Sequence, residues 1–307
     1  MKRSHAGDAF NPKPGVAEEV APGVRRILAP NPSPMTFRGT NSYLIGTTGL
    51  ALIDPGPEIL PHLDALLSAL TPGQFISHIL VTHSHLDHSP LARRAAAATG
   101  APVLAFGPAT AGRSPIMQDL AQGGLIGGGE GLDHDFSCDQ ILADGDIVTG
   151  DSWELEAIHT PGHIGNHLCF ALGDLLFSGD HVMGWSSSLV SPPDGDLTDF
   201  MASCRRLQTR SWSCFLPGHG PEIHTPKERL AWLLAHRQQR EAAILAHLAA
   251  TPATAAALAA AIYTETPAAL LGAAERNVFA HLVDLYQQKR IAPIGAMTAT
   301  TSFRLLD

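Results

Sequence analysis

At 307 residues the chain is long enough to bury one large core and a smaller one. A hydrophobic content of 45% and a net charge of −9 fit a compact soluble enzyme and exclude a strongly basic nucleic-acid binder. No apolar run reaches the roughly 18 residues of a membrane span.

In chain order, residues 1–20 are punctuated by Pro and Gly and read as a loosely held lead-in. Met1 to Gly15 carries Lys and Arg without an apolar stretch, so no secretory signal is expected. Cys138, Cys169, Cys204 and Cys214 show no CxxC spacing and read as reduced thiols in a cytoplasmic protein. Ile76 to Thr82 is short, apolar and β-branched, which predicts a buried strand. Directly after it comes His83-Ser84-His85-Leu86-Asp87-His88. With 16 His and 18 Asp in the chain, random placement gives H-x-H-x-D-H with an expected count on the order of 10⁻³. Neutral imidazole and carboxylate are N and O ligands for Zn²⁺ and similar ions. His83 and His85, two residues apart, can point the same way, while Asp87 and His88 project towards a second ion. Ser89-Pro90 then opens an Ala-rich helix over Leu91 to Ala98.

The stretch from Gly107 to Gly131 contains Gly123-Gly124-Leu125-Ile126-Gly127-Gly128-Gly129 and reads as a mobile loop or lid, or equally as a surface excursion without a role. Three further candidate ligands follow short apolar runs and have Gly or Pro at the turn: His163 after Trp153 to Ile158, Asp180 after Asp174 to Phe177, and His219 after Cys214 to Leu216. Glycine lets the chain bend so that the next side chain faces a shared point. Each alone is an ordinary turn residue; with the hexapeptide they form a set.

From Thr225 the pattern changes. A long amphipathic helix is predicted from Pro226 to about Ala249, a short one over Ala253 to Tyr263, and another from Pro267 to about Lys289. Ile291 to Leu306 reads as two strands around a turn at Gly295. Arg237 and Glu241 are read as an i,i+4 pair on a packing helix. Residues 225–307 hold 8 Lys and Arg against 6 Asp and Glu, a net of +2; residues 1–224 hold 12 against 23, a net of −11.

H-x-H-x-D-H followed by a His, an Asp and a final His resembles the metallo-β-lactamase superfamily. Asn41 to Ile45 and Leu52-Ile53-Asp54-Pro55-Gly56 match that family's opening strands. The resemblance spans roughly residues 20–224. It implies an α/β four-layer αβ/βα sandwich over 21–224, followed at 225–307 by a small winged-helix domain that resembles the module of the lactamase-β-like endoribonucleases. It also implies that His83, His85 and His163 hold one metal, that Asp87, His88 and His219 hold the second, and that Asp180 bridges both together with a water or hydroxide. Zinc is the first expectation, and iron or manganese suits the same donors. Asp87 and Asp180 would position the nucleophile. Asp54 would orient a ligand from behind, or simply turn the strand end. Zinc β-lactamases of the true kind lack one of these seven positions, so the full set implies another hydrolase branch.

The expected activity is hydrolysis of a small ester, thioester or lactone. A ribonuclease acting on single-stranded RNA is the alternative, disfavoured because the body's charge repels a polyanion. A non-catalytic nucleic-acid scaffold is disfavoured because every ligand position is filled. Phe37, Arg38, Tyr43, His134, Trp185 and Ser186 to Ser188 are expected around the site's mouth.

Overall fold

The computed structural model describes residues 9–129 and 131–306. Seven strands form the first sheet in chain order: β1 Ala17–Ala21, β2 Val24–Leu28, β3 Asn41–Ile45, β4 Gly49–Ile53, β5 Phe75–Leu80, β6 Val103–Ala105 and β7 Gln140–Ile141. The second sheet runs β12-β11-β10-β9-β8, from β8 Ile147–Thr149, β9 Glu154–His159, β10 Leu168–Leu172, β11 Leu175–Gly179 and β12 Cys214–Pro217. A small third sheet joins β13 Ala253–Thr254, β15 Ser302–Leu305 and β14 Ile291–Pro293. The helices are α1 Leu60–Ser68, α2 Ala92–Thr99, α3 Pro115–Gln122, α4 Leu197–Gln208, α5 Pro226–Ala250, α6 Ala255–Ile262 and α7 Leu271–Gln287.

Both large sheets are apolar on both faces, as strands covered on two sides must be. Alternation along β4 sends Ile53 inward to meet Phe170 and Phe177 of the other sheet. Leu52 points outward, into a cluster with Leu63 and Leu66 of α1 and Ala95 of α2. On the far side Phe200 of α4 and Leu233 of α5 cover Ile158 and Phe215 of the second sheet. The result is four layers, helix-sheet-sheet-helix.

A separate cluster is built on Leu258 of α6, on Val278 and Leu282 of α7, and on Phe303 of β15. This is the helix-and-hairpin arrangement expected of a winged helix. The long helix α5 serves both cores, through Leu230 and Leu233 at one end and Ile244 and Leu248 at the other.

Three expectations meet a different structure. Residues 17–20, placed in the lead-in, form most of β1, and Phe10 is buried; residues 1–8 lie outside the described residues. Part of Gly107–Gly131 is helix: α3 starts at Pro115, and its Met117 and Leu120 join the C-terminal cluster. Glu130 lies outside the described residues. Gly127 and Gly128 are packed against other chain: an added Cβ would sit 1.6 Å from Asp194 Oδ2 and 2.3 Å from the Arg276 guanidinium. Thirdly, Arg237 does not pair with Glu241. Arg237 is 1% exposed and bonds Asn277 and Ser188, while Glu241 accepts from Arg290. No helix among the described residues is long and apolar enough to cross a membrane.

Candidate metal centre

The seven candidate ligands converge from four loops, each at the carboxyl end of a strand. His83 to His88 follow β5, His163 follows β9, Asp180 follows β11 and His219 follows β12. All seven are buried. They fall into two groups, His83-His85-His163 and Asp87-His88-Asp180-His219, and within each group the donor atoms lie within 4.8 Å of one another. Asp180 faces both: Oδ2 is 3.3 Å from His219 Nε2 and 3.8 Å from His163 Nε2. Gly218 makes this approach feasible, since a Cβ there would meet Asp180 Oδ1 at 2.5 Å and His88 Cε1 at 2.7 Å.

The outward nitrogens are held, which fixes the tautomers. His163 Nδ1 donates to the Leu189 carbonyl at 2.7 Å, and His219 Nδ1 to the Gly39 carbonyl at 3.1 Å. His88 Nδ1 donates to Asp54 Oδ2 at 2.9 Å. The Thr82 hydroxyl donates to Asp54 Oδ2 at 2.7 Å, so its oxygen is free to accept from His83 Nδ1 at 2.9 Å. The Thr82 amide fills Asp54 Oδ1 at 2.7 Å. One carboxylate thus orients an imidazole in each group.

With the outward protons in place, the inward nitrogens of His83 and His163 are bare lone pairs. Each sits 3.0 Å from His85 Nδ1, which can donate to only one of them. Among the described residues Asp180 Oδ1 has no hydrogen bond. Neither does Asp87 Oδ2, although it lies 3.0 Å from His219 Nε2. The buried lone pairs of His83 and His163 and the unbonded oxygens of Asp87 and Asp180 are poorly satisfied by the chain alone. A cation at each group satisfies them, so the donor chemistry fits two divalent ions.

Electrostatics separates the two groups. Burial, and then the neighbouring imidazoles, push His83 well down; burial and His163 push His85 down to about 3. These are neutral ligands as they stand. Burial would also lower His219, but Asp180 and Asp87 outweigh it and raise it to about 10; His88 is raised by Asp87, Asp180 and Asp54 in the same way. The same pairing overrides burial at Asp87 and Asp180 and holds both below the usual carboxylate range.

Met35, Gly129, Met183 and Leu189 surround the donors at the mouth, in a pocket of about 30 Å³. Tyr43, expected there, is buried in the sandwich with its hydroxyl on the Pro217 carbonyl. Phe37 and Trp185 stack on each other, ring centroids 5.0 Å apart. His167 had no motif of its own in the sequence; its Nε2 accepts the Asp180 amide at 3.2 Å, and its Nδ1 bonds Thr160.

The family model described as the metallo-β-lactamase superfamily matches residues 35–219. The chain belongs to this superfamily. A beta-lactamase associated winged helix domain matches residues 254–297. An atrochrysone carboxyl ACP thioesterase of Cryptosporiopsis sp. is 30% identical over 233 residues, covering 74% of this chain; the chain spans only 63% of that relative. A Drosophila melanogaster protein named beta-lactamase-like protein 2 homolog is 30% identical over 279 residues, 87% of this chain and 89% of its own. A beta-lactamase domain protein from Burkholderia ambifaria superposes with a TM-score of 0.80 at 22% identity, covering 97% of this chain and 96% of its own. A metallo-beta-lactamase family protein from Thermus thermophilus gives 0.74 at 23%, covering 94% and 100%. At these identities the two structures establish the fold alone.

Proposed function

We propose that this chain is a dinuclear metal hydrolase that cleaves a small thioester or ester, with His83, His85 and His163 at one ion, Asp87, His88 and His219 at the other, and Asp180 between them. The observation that carries this reading is the facing set of buried imidazole and carboxylate donors in two groups, with all seven positions filled. Zinc suits the five imidazoles and two carboxylates, and iron or manganese suits them as well. Bound ions at such a site polarise a carbonyl and lower the pKa of water.

The chain's own residues supply the rest. Asp87 Oδ2 and Asp180 Oδ1, free of hydrogen bonds among the described residues, belong to side chains that line the pocket and can orient a water and accept its proton. Met35, Met183 and Leu189 exclude bulk water around the reacting group. The thioesterase name of one relative points to an acyl-sulfur bond as the first substrate class to try. The net charge of −11 on residues 1–224 weighs against RNA, whose binding depends on Lys and Arg.

The test is a comparison of kcat/KM on one metal-replete preparation for acyl thioesters, lactones, phosphodiesters and short single-stranded RNAs. Metal analysis should give close to two ions per chain, and His85→Ala should abolish turnover. Full activity after verified metal removal would sink the proposal. A short RNA that outperforms every small ester would replace it with a ribonuclease.

A further inference from the structure

The pocket above the seven donors holds about 30 Å³, room for one or two waters or a single reacting group. An acyl group larger than this extends beyond the pocket. A larger cavity of about 220 Å³ is lined mostly by apolar residues, Leu125, Ile126, Pro192 and Phe279 among them, with Gly272, Glu275 and Arg276 of α7. Neighbouring residues of the same two stretches line the two spaces. The Gly-rich segment contributes Gly129 to the donor pocket and Ile126 to the cavity; the segment after β11 contributes Leu189 to the first and Pro192 to the second. These two stretches are tied side by side. Gly128 N donates to Ser191 Oγ at 3.0 Å, and Arg276 Nη1 reaches the Ile126 carbonyl at 3.1 Å and Ser191 Oγ at 3.4 Å.

We infer that this cavity is the subsite for the apolar portion of the acyl group whose carbonyl is cleaved at the metal centre, which rests on the hydrolase reading above. An apolar cavity of about 150 Å³ takes a benzene-sized guest, so 220 Å³ suits an aliphatic or aromatic acyl group of roughly six to ten carbons. Ile126, 81% exposed, stands at the lip, where an occupant would cover it. The subsite exists only because the C-terminal helix α7 closes one side.

Gly272 gives a clean test. It lies in the first turn of α7, and an added Cβ would meet nothing within 4 Å. Gly272→Leu and Gly272→Phe thus fill the cavity in steps without a clash at the Cβ, and thermal melts verify that both variants fold. Two readouts are taken: kcat/KM for acetyl and octanoyl thioesters of one thiol, and calorimetric binding of octanamide, with butanamide as the short control. We expect the parent to prefer the octanoyl thioester by tenfold or more. Gly272→Phe should bring that ratio close to one while leaving the acetyl thioester unchanged, and should weaken octanamide at least tenfold, with Gly272→Leu between. The subsite is overturned if Gly272→Phe keeps both the long-chain preference and octanamide affinity, or if the parent shows neither. If octanamide binds the parent and not Gly272→Phe while neither the thioesters nor the matching esters are cleaved, the apolar-chain site stands and the hydrolase reading fails.

Discussion

Asn277 of α7 offers a direct measure of how the C-terminal module supports the metal centre. Its Oδ1 accepts two hydrogen bonds, from Arg237 Nη1 at 2.8 Å and from the Val190 amide at 3.1 Å. Arg237 also donates to the Ser188 carbonyl. Between Ser188 and Val190 lies Leu189, whose carbonyl holds His163 Nδ1. Asn277→Ala leaves two donors without a partner, on residues that are 0% and 1% exposed. A buried unsatisfied donor costs about 1–3 kcal/mol, more when charged, so the substitution should cost about 3–4 kcal/mol. For a chain of 307 residues the thermal midpoint should fall by roughly 5–6 °C. Loosening the Leu189 carbonyl frees the His163 ring, and loss of such an outer partner typically weakens metal binding about 10–100-fold. One bond further back, about tenfold is expected, and only at the three-histidine group. Asn277→Asp keeps the acceptor oxygens and should restore both quantities. Urea denaturation gives the stability, and competition with a chromogenic chelator gives the two affinities. If the Ala variant matches the parent in both, or Asp fails as badly as Ala, the tie from α7 to His163 is not real.

Asp54→Ala should weaken both metals by about 10–100-fold, because Asp54 orients His88 directly and His83 through Thr82; loss at one ion alone, by competition with a chelator, would contradict this. Chelation should lower the thermal midpoint and added Zn²⁺ restore it. Free metal at about 1,000 times its Kd stabilises the native state by about 4 kcal/mol, and an unchanged midpoint after verified metal loss would count against the site. Burial lowers the pKa of His62, bonded to Ser42 Oγ, to about 4. The unfolded chain then takes up the proton first as pH falls, so this stability is full above about 6.5 and is lost towards about 4, a change of roughly 3 kcal/mol. His62→Asn should show a correspondingly shallower acid loss in urea titrations, and equal slopes in variant and parent would refute the assignment.

The hexapeptide was readable because its chemistry is local: six consecutive residues carry four donors, directly after a strand. His163, Asp180 and His219 were readable only jointly, since each is one polar residue after an apolar run. What holds them was not readable. Two of the outer partners are the backbone carbonyls of Leu189 and Gly39, which carry no residue signature. The helix α3 had a start signal in Ser114-Pro115, but eight residues with two buried side chains give too little periodicity to outweigh the glycines around it. Arg237 is the instructive miss. Leu230, Leu233, Ile244 and Leu248 form the buried stripe of α5, and Arg237 lies on it, four residues after Leu233 and seven before Ile244. Spacing placed it inside while its charge suggested outside, and spacing prevailed because carbonyl and amide oxygens were there to meet the guanidinium.

That outcome bears on what the winged helix does. Of the 8 Lys and Arg in residues 225–307, five are committed within the chain. Arg229 bonds the Met183 and Ser186 carbonyls, Arg237 bonds Ser188 and Asn277, and Arg276 bonds Ile126 and Ser191. Arg240 reaches the Ile262 carbonyl, and Arg290 pairs with Glu241. Three of these five fasten the 183–191 segment, which carries Met183 and Leu189 to the mouth of the donor pocket. A guanidinium already bonded to carbonyls must break those bonds to meet a phosphate, and phosphate contacts dominate nucleic-acid affinity. Three of the module's cations are therefore directed inward, at the loop that carries Met183 and Leu189. Those three bonds tie the module to the segment at the mouth of the donor pocket, which is the support the proposed subsite draws from α5 and α7.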